Sequence, residues 1–219
     1  YVDQSVIEFL QRIRPLFNSA ETNVRIATSG DQSRSWEIIR QEIWPLFNDN
    51  ICGFLLLDSS VLDNLRQIAP AILRSCTKLL LIHCWDLFPA FPADDDAGTS
   101  SGQALAKWLL TARGDGLPKV LNCAPYAANL TELIWSFVNA SKSANFIIRL
   151  MRPPGPGSMP FTMNNNLSEQ LTLRRVNNRW LLVRCPIGRD EDKWAKWETE
   201  AIQWKWDSQW NRIIINFNI

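Results

Sequence analysis

Amphipathic stretches alternate with short apolar runs along the first two thirds of this chain. Residues 2–17 place apolar side chains at the spacing of one helix face, and residues 24–27 follow as an apolar run. The order repeats at residues 36–47 and 53–57, and further pairs continue it as far as residue 151. The pattern predicts four or five helix–strand units, and such alternation favours a mainly parallel sheet in an α/β fold.

A short sequence phrase recurs late in the helical stretches. Residues 13–18 and 43–48 both have the form Ile-x-Pro-Leu-Phe-Asn, and residues 68–73 keep the isoleucine and the proline. Repeats of this length are typical of stacked units that bury one another's apolar faces. We therefore expect a leucine-rich-repeat-like arc, with helices outside and strands inside. A flat, doubly wound sheet is the alternative, and the apolar residues on both faces of segment 79–82 fit it.

The rhythm changes at residues 152–168, which contain four prolines, two glycines and three asparagines and therefore predict a loop. Beyond this loop the alternation predicts an antiparallel hairpin over residues 169–185, with Asn177 and Asn178 in its turn. A tryptophan-rich helix from about Asp190 and a closing strand over residues 213–217 complete the predicted elements.

Length and composition limit the classes of protein that fit this chain. The 219 residues suit one domain over residues 1–219, with loop 152–168 as the candidate internal boundary. The net charge of +1 gives no electrostatic reason to expect nucleic acid or an anionic membrane as a partner. The apolar runs are too short to span a bilayer. The chain opens at Tyr1 rather than at a methionine, so we expect it to be a piece of a longer protein.

Five irregularly spaced cysteines argue against a disulfide framework, because their number is odd and no C-x-x-C pair occurs. We therefore expect a reduced compartment, either cytoplasmic or nuclear. Zinc is disfavoured because the thiols lack paired spacing and His83 is the single histidine. Secretion stays open as an alternative, since upstream residues would decide it. We interpret the glycosylation sequons at Asn129, Asn139 and Asn166 as coincidental, although glycans found on Asn129 or Asn166 would favour secretion.

Two segments contain residues that could carry chemistry. Residues 98–102 match G-x-S-x-G, which would make Ser100 a hydrolase nucleophile. That motif needs a preceding strand and a later histidine, but here an Asp-rich loop precedes it and His83 comes earlier. We therefore expect Ser100 or Ser101 to cap a helix. Residues 94–96 are three aspartates that could hold Mg²⁺ or Ca²⁺, yet they lack EF-hand spacing. We expect no catalytic residue, no metal and no cofactor.

Arginines interrupt the apolar strands in the last third of the chain. Strand alternation predicts that Arg149, Arg174 and Arg184 share the open face of the sheet, and Arg184 shares its face with Trp180. Arginine beside an aromatic ring is a common anchor in protein interfaces. We therefore predict that these four residues bind a partner protein. The alternative is that the arginines are ordinary solvated side chains.

Six short segments stand out together in this sequence. They are Ile-Trp-Pro-Leu at 43–46, Gly-Gln-Ala-Leu-Ala-Lys-Trp-Leu at 102–109, Pro-Lys-Val at 118–120, Leu-Leu-Val-Arg-Cys-Pro-Ile at 181–187, Lys-Trp-Ala-Lys-Trp-Glu at 193–198 and Gln-Trp-Asn-Arg-Ile at 209–213. With these segments the chain resembles an expanded nematode family of F-box proteins. The likeness is to the F-box-associated region, C-terminal to the F-box, and it runs over nearly the whole chain.

The resemblance implies a role as the substrate-recognition part of a cullin-type ubiquitin ligase. In such proteins the F-box docks the ligase adaptor, and the domain that follows captures the protein to be ubiquitinated. This sequence shows no F-box, so binding of the adaptor would need an F-box upstream of it. The resemblance assigns no catalytic residues. Two alternatives stay open, namely a secreted effector-type binding module without a ligase role and a serine hydrolase that uses Ser100.

Overall fold

The computed structural model describes residues 4–18, 21–28, 31–56, 58–124, 127–155 and 157–217. Leu57, predicted at the end of a strand, and the side chain of Asn129 lie outside this description. In the described ranges the α-helices are α1 (Gln4–Asn18), α2 (Ser33–Ile38), α3 (Ser59–Arg66), α4 (Ile72–Ser75), α5 (Ser101–Leu110), α6 (Ala127–Val138) and α7 (Glu191–Gln203). The strands are β1 (Thr22–Ile26), β2 (Ile51–Leu56), β3 (Leu81–Cys84), β4 (Lys119–Cys123), β5 (Phe146–Leu150), β6 (Phe161–Asn164), β7 (Glu169–Val176), β8 (Arg179–Pro186) and β9 (Arg212–Ile215).

In the described part of the chain, nine strands form one sheet in the order β6-β7-β8-β5-β4-β3-β2-β1-β9. Strands β1 to β5 are parallel and neighbour one another in chain order, and β9 pairs with β1, also in parallel. Strands β6, β7 and β8 form the antiparallel part. The α/β class and the mostly parallel sheet are therefore confirmed. Strand β5 precedes the predicted loop and β8 follows it, and the two strands pair directly in the same sheet.

The two faces of the sheet are covered by different helices. Helices α2 to α6 pack on one face, here called the helix face, and form the main core with alternate strand residues such as Phe54, Leu121 and Ile148. Helix α7 packs on the opposite face, here called the α7 face, where Trp194 and Ala201 contact the intervening strand residues. Strand residues therefore alternate between two distinct apolar clusters, as the period of two requires.

Two predicted elements differ from the structure. The predicted loop over residues 152–168 contains β6, which pairs with β7 at the edge of the sheet. The second predicted helix begins at Ser33 and continues as a π-helical turn over Ile39–Ile43 and a 3-10 turn over Trp44–Leu46. Pro45 explains why regular α-helix does not persist there, because proline has no N–H group to donate.

Several helices begin at polar caps. The Asp58 side chain accepts from the backbone N–H groups of Ser60 and Val61, at 2.9 and 3.3 Å, and so starts α3. Asp190 accepts from the Lys193 N–H at 3.2 Å and starts α7. None of the helices in the described residues combines the length and the apolar character that crossing a lipid bilayer requires.

Candidate functional site

A row of side chains crosses the parallel part of the sheet on the α7 face. The strand register sets these side chains side by side, and neighbouring strands lie about 4.8 Å apart. We call this set the cross-strand row, and from β9 to β5 it consists of Ile214, Arg25, Leu55, His83, Asn122 and Arg149. The last three each occupy the next-to-last position of a parallel strand, near the carboxyl edge of the sheet.

Helix α7 closes the β5 end of this row through Arg149. The buried Arg149 guanidinium donates from Nη1 to the carbonyl oxygens of Ile202 and Trp204, at 2.9 and 3.2 Å. The last carbonyls of a helix have no intrahelical partner and lie at the negative end of its dipole, so a cation is well placed there. Arg149 therefore ties the end of α7 to the centre of the sheet.

Two tryptophan rings flank His83 in the middle of the row. The His83 ring centroid lies 5.8 Å from the centroid of Trp85 and 5.8 Å from that of Trp204. Burial, followed by the charge of Arg149, lowers the pKa of His83 to about 4. The imidazole is therefore neutral near pH 7, and it is a much weaker base than an ordinary histidine.

Unpartnered polar atoms are concentrated in the cross-strand row. In the described residues, eight buried side-chain nitrogen and oxygen atoms have no hydrogen-bond partner within the protein. Five of the eight belong to this row, namely Nε of Arg25, Nδ1 of His83, Nε of Arg149 and both amide atoms of the fully buried Asn122. An unsatisfied buried polar group costs about 1–3 kcal/mol. Such groups call for a specific explanation, and functional sites are where local rules are most often broken.

The row is exposed to solvent at its β9 end, where Ile214 lies, and beside His83, where Trp85 lies. Ile214 and Trp85 keep 55% and 54% of their surface exposed, while Arg25 and Leu55 are half-buried. We call the surface formed by these four residues the open sheet surface. Large exposed apolar side chains beside an arginine are typical of protein interfaces.

The four residues predicted to bind a partner are divided between the two faces. Arg149 belongs to the cross-strand row, and Arg174 lies on the same face, where it forms an ion pair with Glu198 of α7. The expectation that Arg184 joins them is wrong. Residues 180, 182 and 184 share the helix face, because they alternate with the α7-face residues Leu181 and Val183. Trp180 therefore lies with Arg184, away from the other two arginines.

Arg184 is held in a buried network and keeps 1% of its surface exposed. Its Nε and Nη2 donate to Oε2 of the buried Glu169, at 3.1 and 2.5 Å, and its guanidinium lies 5.3 Å from the ring centroid of Phe137. Oε1 of Glu169 accepts from the Ala144 N–H at 2.9 Å. The Arg184 charge is therefore paired, and both carboxylate oxygens of Glu169 accept hydrogen bonds. The pair joins β7 and β8 to the segment that precedes β5.

Ser100 caps helix α5, as the sequence predicts. Its hydroxyl accepts from the Gln103 backbone N–H at 3.2 Å, and the Gln103 side chain accepts from the Ser100 N–H at 3.0 Å. This reciprocal pair is a capping box. The neighbouring Ser101 hydroxyl donates to the carboxylate of Asp63. Both hydroxyls thus have clear structural roles at the start of the helix.

The three aspartates at 94–96 lie in a loop that two arginines hold in place. Carboxylate oxygens of the three come within 4.8 Å of one another. Arg74 forms an ion pair with Asp95 at 2.8 Å, and the buried Arg66 donates to the Asp96 carbonyl oxygen at 2.8 Å. One of the three carboxylates is therefore already neutralised by an internal cation.

All five cysteines are buried thiols, in agreement with the expectation of no disulfide framework. Burial is the main factor that raises the pKa of Cys52, Cys76 and Cys84 to about 12. Such thiols are protonated at neutral pH and are poor nucleophiles, because the thiolate is the reactive form.

The sequence contains a signal for the cross-strand row that strand alternation alone does not reveal. Strands β3, β4 and β5 each have a polar residue next to last in an otherwise apolar run, in Leu-Ile-His-Cys, Val-Leu-Asn-Cys and Ile-Ile-Arg-Leu. One polar residue at the same place in three consecutive parallel strands predicts a row on one face.

Compared with family models, curated proteins and solved structures, the chain has no match.

Proposed function

We propose that this chain is a non-catalytic protein-binding domain whose partner docks on the open sheet surface. The observation that carries the proposal is the exposure of Ile214 at the β9 end of the cross-strand row and of Trp85 beside His83, in a row whose buried polar atoms have no partner within the protein. A partner segment that offers apolar side chains and a carboxylate would complement this surface. The apolar side chains would cover Trp85 and Ile214, and the carboxylate would pair with Arg25.

We also propose that the sheet forms the inner wall of a leucine-rich-repeat-like arc. Strands β1 to β5 follow one another in chain order, and the helices that connect them lie on the helix face. Consecutive units of this kind stack in one direction and leave the opposite face of their strands available for binding. In that arrangement the open sheet surface is part of the inner wall.

We further propose that the domain is the substrate-recognition part of an F-box protein in a cullin-type ubiquitin ligase. The likeness of the segments at 102–109, 181–187 and 193–198 to nematode F-box proteins supports this role. These segments build α5, β8 and α7, so the likeness includes elements from both faces of the sheet. The ligase adaptor would bind an F-box upstream, and this chain would hold the substrate.

The docking proposal is tested with paired surface variants of the full-length protein. Trp85→Ser combined with Ile214→Asp removes the two exposed apolar side chains of the open sheet surface. Trp135→Ser is the matched control, because Trp135 on α6 keeps 65% of its surface exposed and belongs to a helix of the opposite face. We expect binding of a purified partner to fall at least tenfold in the double variant, about 1.4 kcal/mol, and to persist in the control. Equal binding by all three proteins contradicts the proposal.

The ligase role is tested separately by co-purification. The full-length protein should retain a ligase adaptor, and the Trp85→Ser, Ile214→Asp variant should retain it equally well. The same variant should lose ubiquitin transfer to the partner in a reconstituted reaction. Failure of the full-length protein to co-purify any adaptor would remove the ligase role and leave the docking proposal intact.

A further inference from the structure

A cleft of about 390 Å³ lies where β5 ends and the β7–β8 hairpin turns. Its walls include Arg152 from the segment after β5, Arg175 and Asn178 from the hairpin, and the half-buried Trp180. Trp180 faces the helix side of the sheet, so this cleft is distinct from the open sheet surface. Both arginines are exposed, so a ligand in solution can reach them.

Among the described residues, the arginines of this cleft have no acidic partner, whereas nearby arginines do. Arg174, Arg184 and Arg189 each form an ion pair with a glutamate. In contrast, Arg175 donates to the neutral Asn178 amide oxygen, and the described residues that line the cleft include no aspartate or glutamate. Two cations thus converge on one concave surface with no internal counter-charge among the lining residues.

The contact with Asn178 holds Arg175 at the cleft. Asn178 has a φ of 64°, in the left-handed region that asparagine tolerates, and its amide oxygen accepts from the Arg175 Nη2. A guanidinium fixed in this way loses less side-chain freedom on binding, which improves affinity. Trp180 supplies an apolar wall next to it. This combination suits a ligand with a strongly anionic head and an apolar stem.

We propose that this cleft binds a phosphorylated serine or threonine side chain of a protein partner. A phosphate group carries a charge of about −1.5 to −2 and three acceptor oxygens, so it matches two guanidinium forks better than a single carboxylate does. A nucleic acid is a poorer match, because its binding needs a longer track of cations and the net charge of this chain is +1. The inference rests on the proposed function for the identity of the ligand as part of a protein.

The test uses the whole 219-residue chain and three fluorescein-labelled pools of nine-residue peptides. The central residue is phosphothreonine, threonine or glutamate, and the flanking positions are random. Fluorescence anisotropy gives the affinity for each pool. We expect the phosphothreonine pool to bind at least tenfold tighter than the other two, since charge-assisted hydrogen bonds are the strong ones.

Arginine variants locate the binding to the cleft. Arg152→Ala combined with Arg175→Ala should reduce phosphothreonine binding to the level of the threonine pool. Arg34→Ala is the control for loss of positive charge, because Arg34 is exposed on α2, between β1 and β2 in the chain, and does not line the cleft. Each variant should keep the urea midpoint of the wild-type protein, since all three arginines are exposed.

Four results would overturn the inference. The first is equal affinity for the phosphothreonine and threonine pools, and the second is equal affinity for the phosphothreonine and glutamate pools. The third is that Arg34→Ala weakens phosphothreonine binding as much as the double variant does. The fourth is that inorganic phosphate displaces the labelled peptide at the same concentration as unlabelled phosphopeptide does. The last result would show a site for free anions. The assay contains no ligase adaptor and leaves Trp85 and Ile214 unchanged, so its failure is distinguishable from failure of the proposed function.

Discussion

Arg149 on β5 donates from Nη1 to the carbonyl oxygen of Trp204 at 3.2 Å, and this bond joins the sheet to the end of α7. The same nitrogen also donates to the Ile202 carbonyl oxygen. Trp204 in turn contacts the ring of His83. The buried Arg149 guanidinium therefore helps to fix the end of α7, and with it the limit of the open sheet surface, together with the ion pair of Arg174 and Glu198.

Replacing Arg149 by methionine should loosen the end of α7. Hydrogen bonds from a charged donor contribute about 1.5–3 kcal/mol, so we expect the free energy of unfolding to fall by about 2 kcal/mol. Amide hydrogen exchange should accelerate over residues 200–204, where the Trp204 N–H donates to the Glu200 carbonyl oxygen. Arg34→Met is the control, because Arg34 is exposed and its replacement should change neither quantity. Unchanged exchange in Arg149→Met would contradict the assignment.

His83 should make the protein less stable as the pH falls from 7 towards 4. Its pKa in the folded protein is about 4, below the ordinary value of 6.5, so in this window the unfolded chain takes up a proton that the folded chain does not. Below about pH 4 both states are protonated and the loss is complete. After allowance for partial exposure, we expect His83 to account for about 1 kcal/mol between pH 7 and pH 5.

Urea unfolding at pH 7, 6 and 5 measures this contribution when the wild-type protein is compared with His83→Gln. The variant should lose less stability between pH 7 and pH 5 than the wild-type protein does. The aspartates and glutamates titrate in both proteins and cancel in the comparison. Parallel pH profiles would show that His83 does not have the lowered pKa.

The buried pair of Glu169 and Arg184 should be far more sensitive to mutation than an exposed pair. Glu169→Gln leaves a buried cation without its counter-charge, and we expect a loss of about 3 kcal/mol in the free energy of unfolding. Asp207→Asn is the matched control. Asp207 is exposed, and its carboxylate lies 3.6 Å from Arg212, so we expect a change below about 0.5 kcal/mol. Similar losses in both variants would disprove the distinction.

A side chain at Gly53 should be destabilising, because its Cβ atom would lie 2.3 Å from Oδ1 of the buried Asn23, which would have to move. The Asn23 N–H donates to the Asn211 carbonyl oxygen at 3.0 Å, so displacement of Asn23 would disturb the segment that leads into β9. We expect Gly53→Ala to lower the free energy of unfolding by about 2 kcal/mol, the usual effect of overpacking. Gly98→Ala is the control, since no atom lies within 4 Å of its added Cβ. Thermal unfolding of both variants checks the difference.

None of the five thiols should react quickly in the native protein. The raised pKa of Cys52, Cys76 and Cys84, about 12 in each case, leaves about one thiol in ten thousand ionised at pH 8. A disulfide reagent at pH 8 should therefore label the native protein slowly, and it should label all five thiols rapidly in urea. A thiol that reacts rapidly without urea would reveal an exposed nucleophile and weaken the case for a non-catalytic domain.

Elements that depend on local pattern were predictable from the sequence. The β7–β8 turn is one example, because Asn177 and Asn178 adopt φ values of 47° and 64°, the left-handed conformation that their chemistry tolerates. The capping role of Ser100 is another. Both features depend on residues within a few positions of one another, so the local sequence is sufficient to predict them.

The elements that were missed depend on contacts between distant parts of the chain. Strand β6 lies in a segment rich in proline and asparagine, and its pairing with β7 outweighs that composition. The prediction for the face of Arg184 is wrong because alternation shows only which residues of one strand lie on the same side. It does not show which of the two sheet faces that side is. Its partner Glu169 lies on another strand, and the sequence does not show that the pair is buried.

Strand β9 pairs with β1 although 188 residues separate Asn23 of β1 from its hydrogen-bond partner Asn211, which directly precedes β9. Because the ribosome synthesises the chain from its amino end, the outer edge of β1 stays unpaired until β9 has been made. Contacts this far apart form slowly, because a long loop must close first. An unpaired edge strand is a template for association with another copy. We therefore expect newly made molecules to be more prone to aggregate in the interval before β9 pairs with β1.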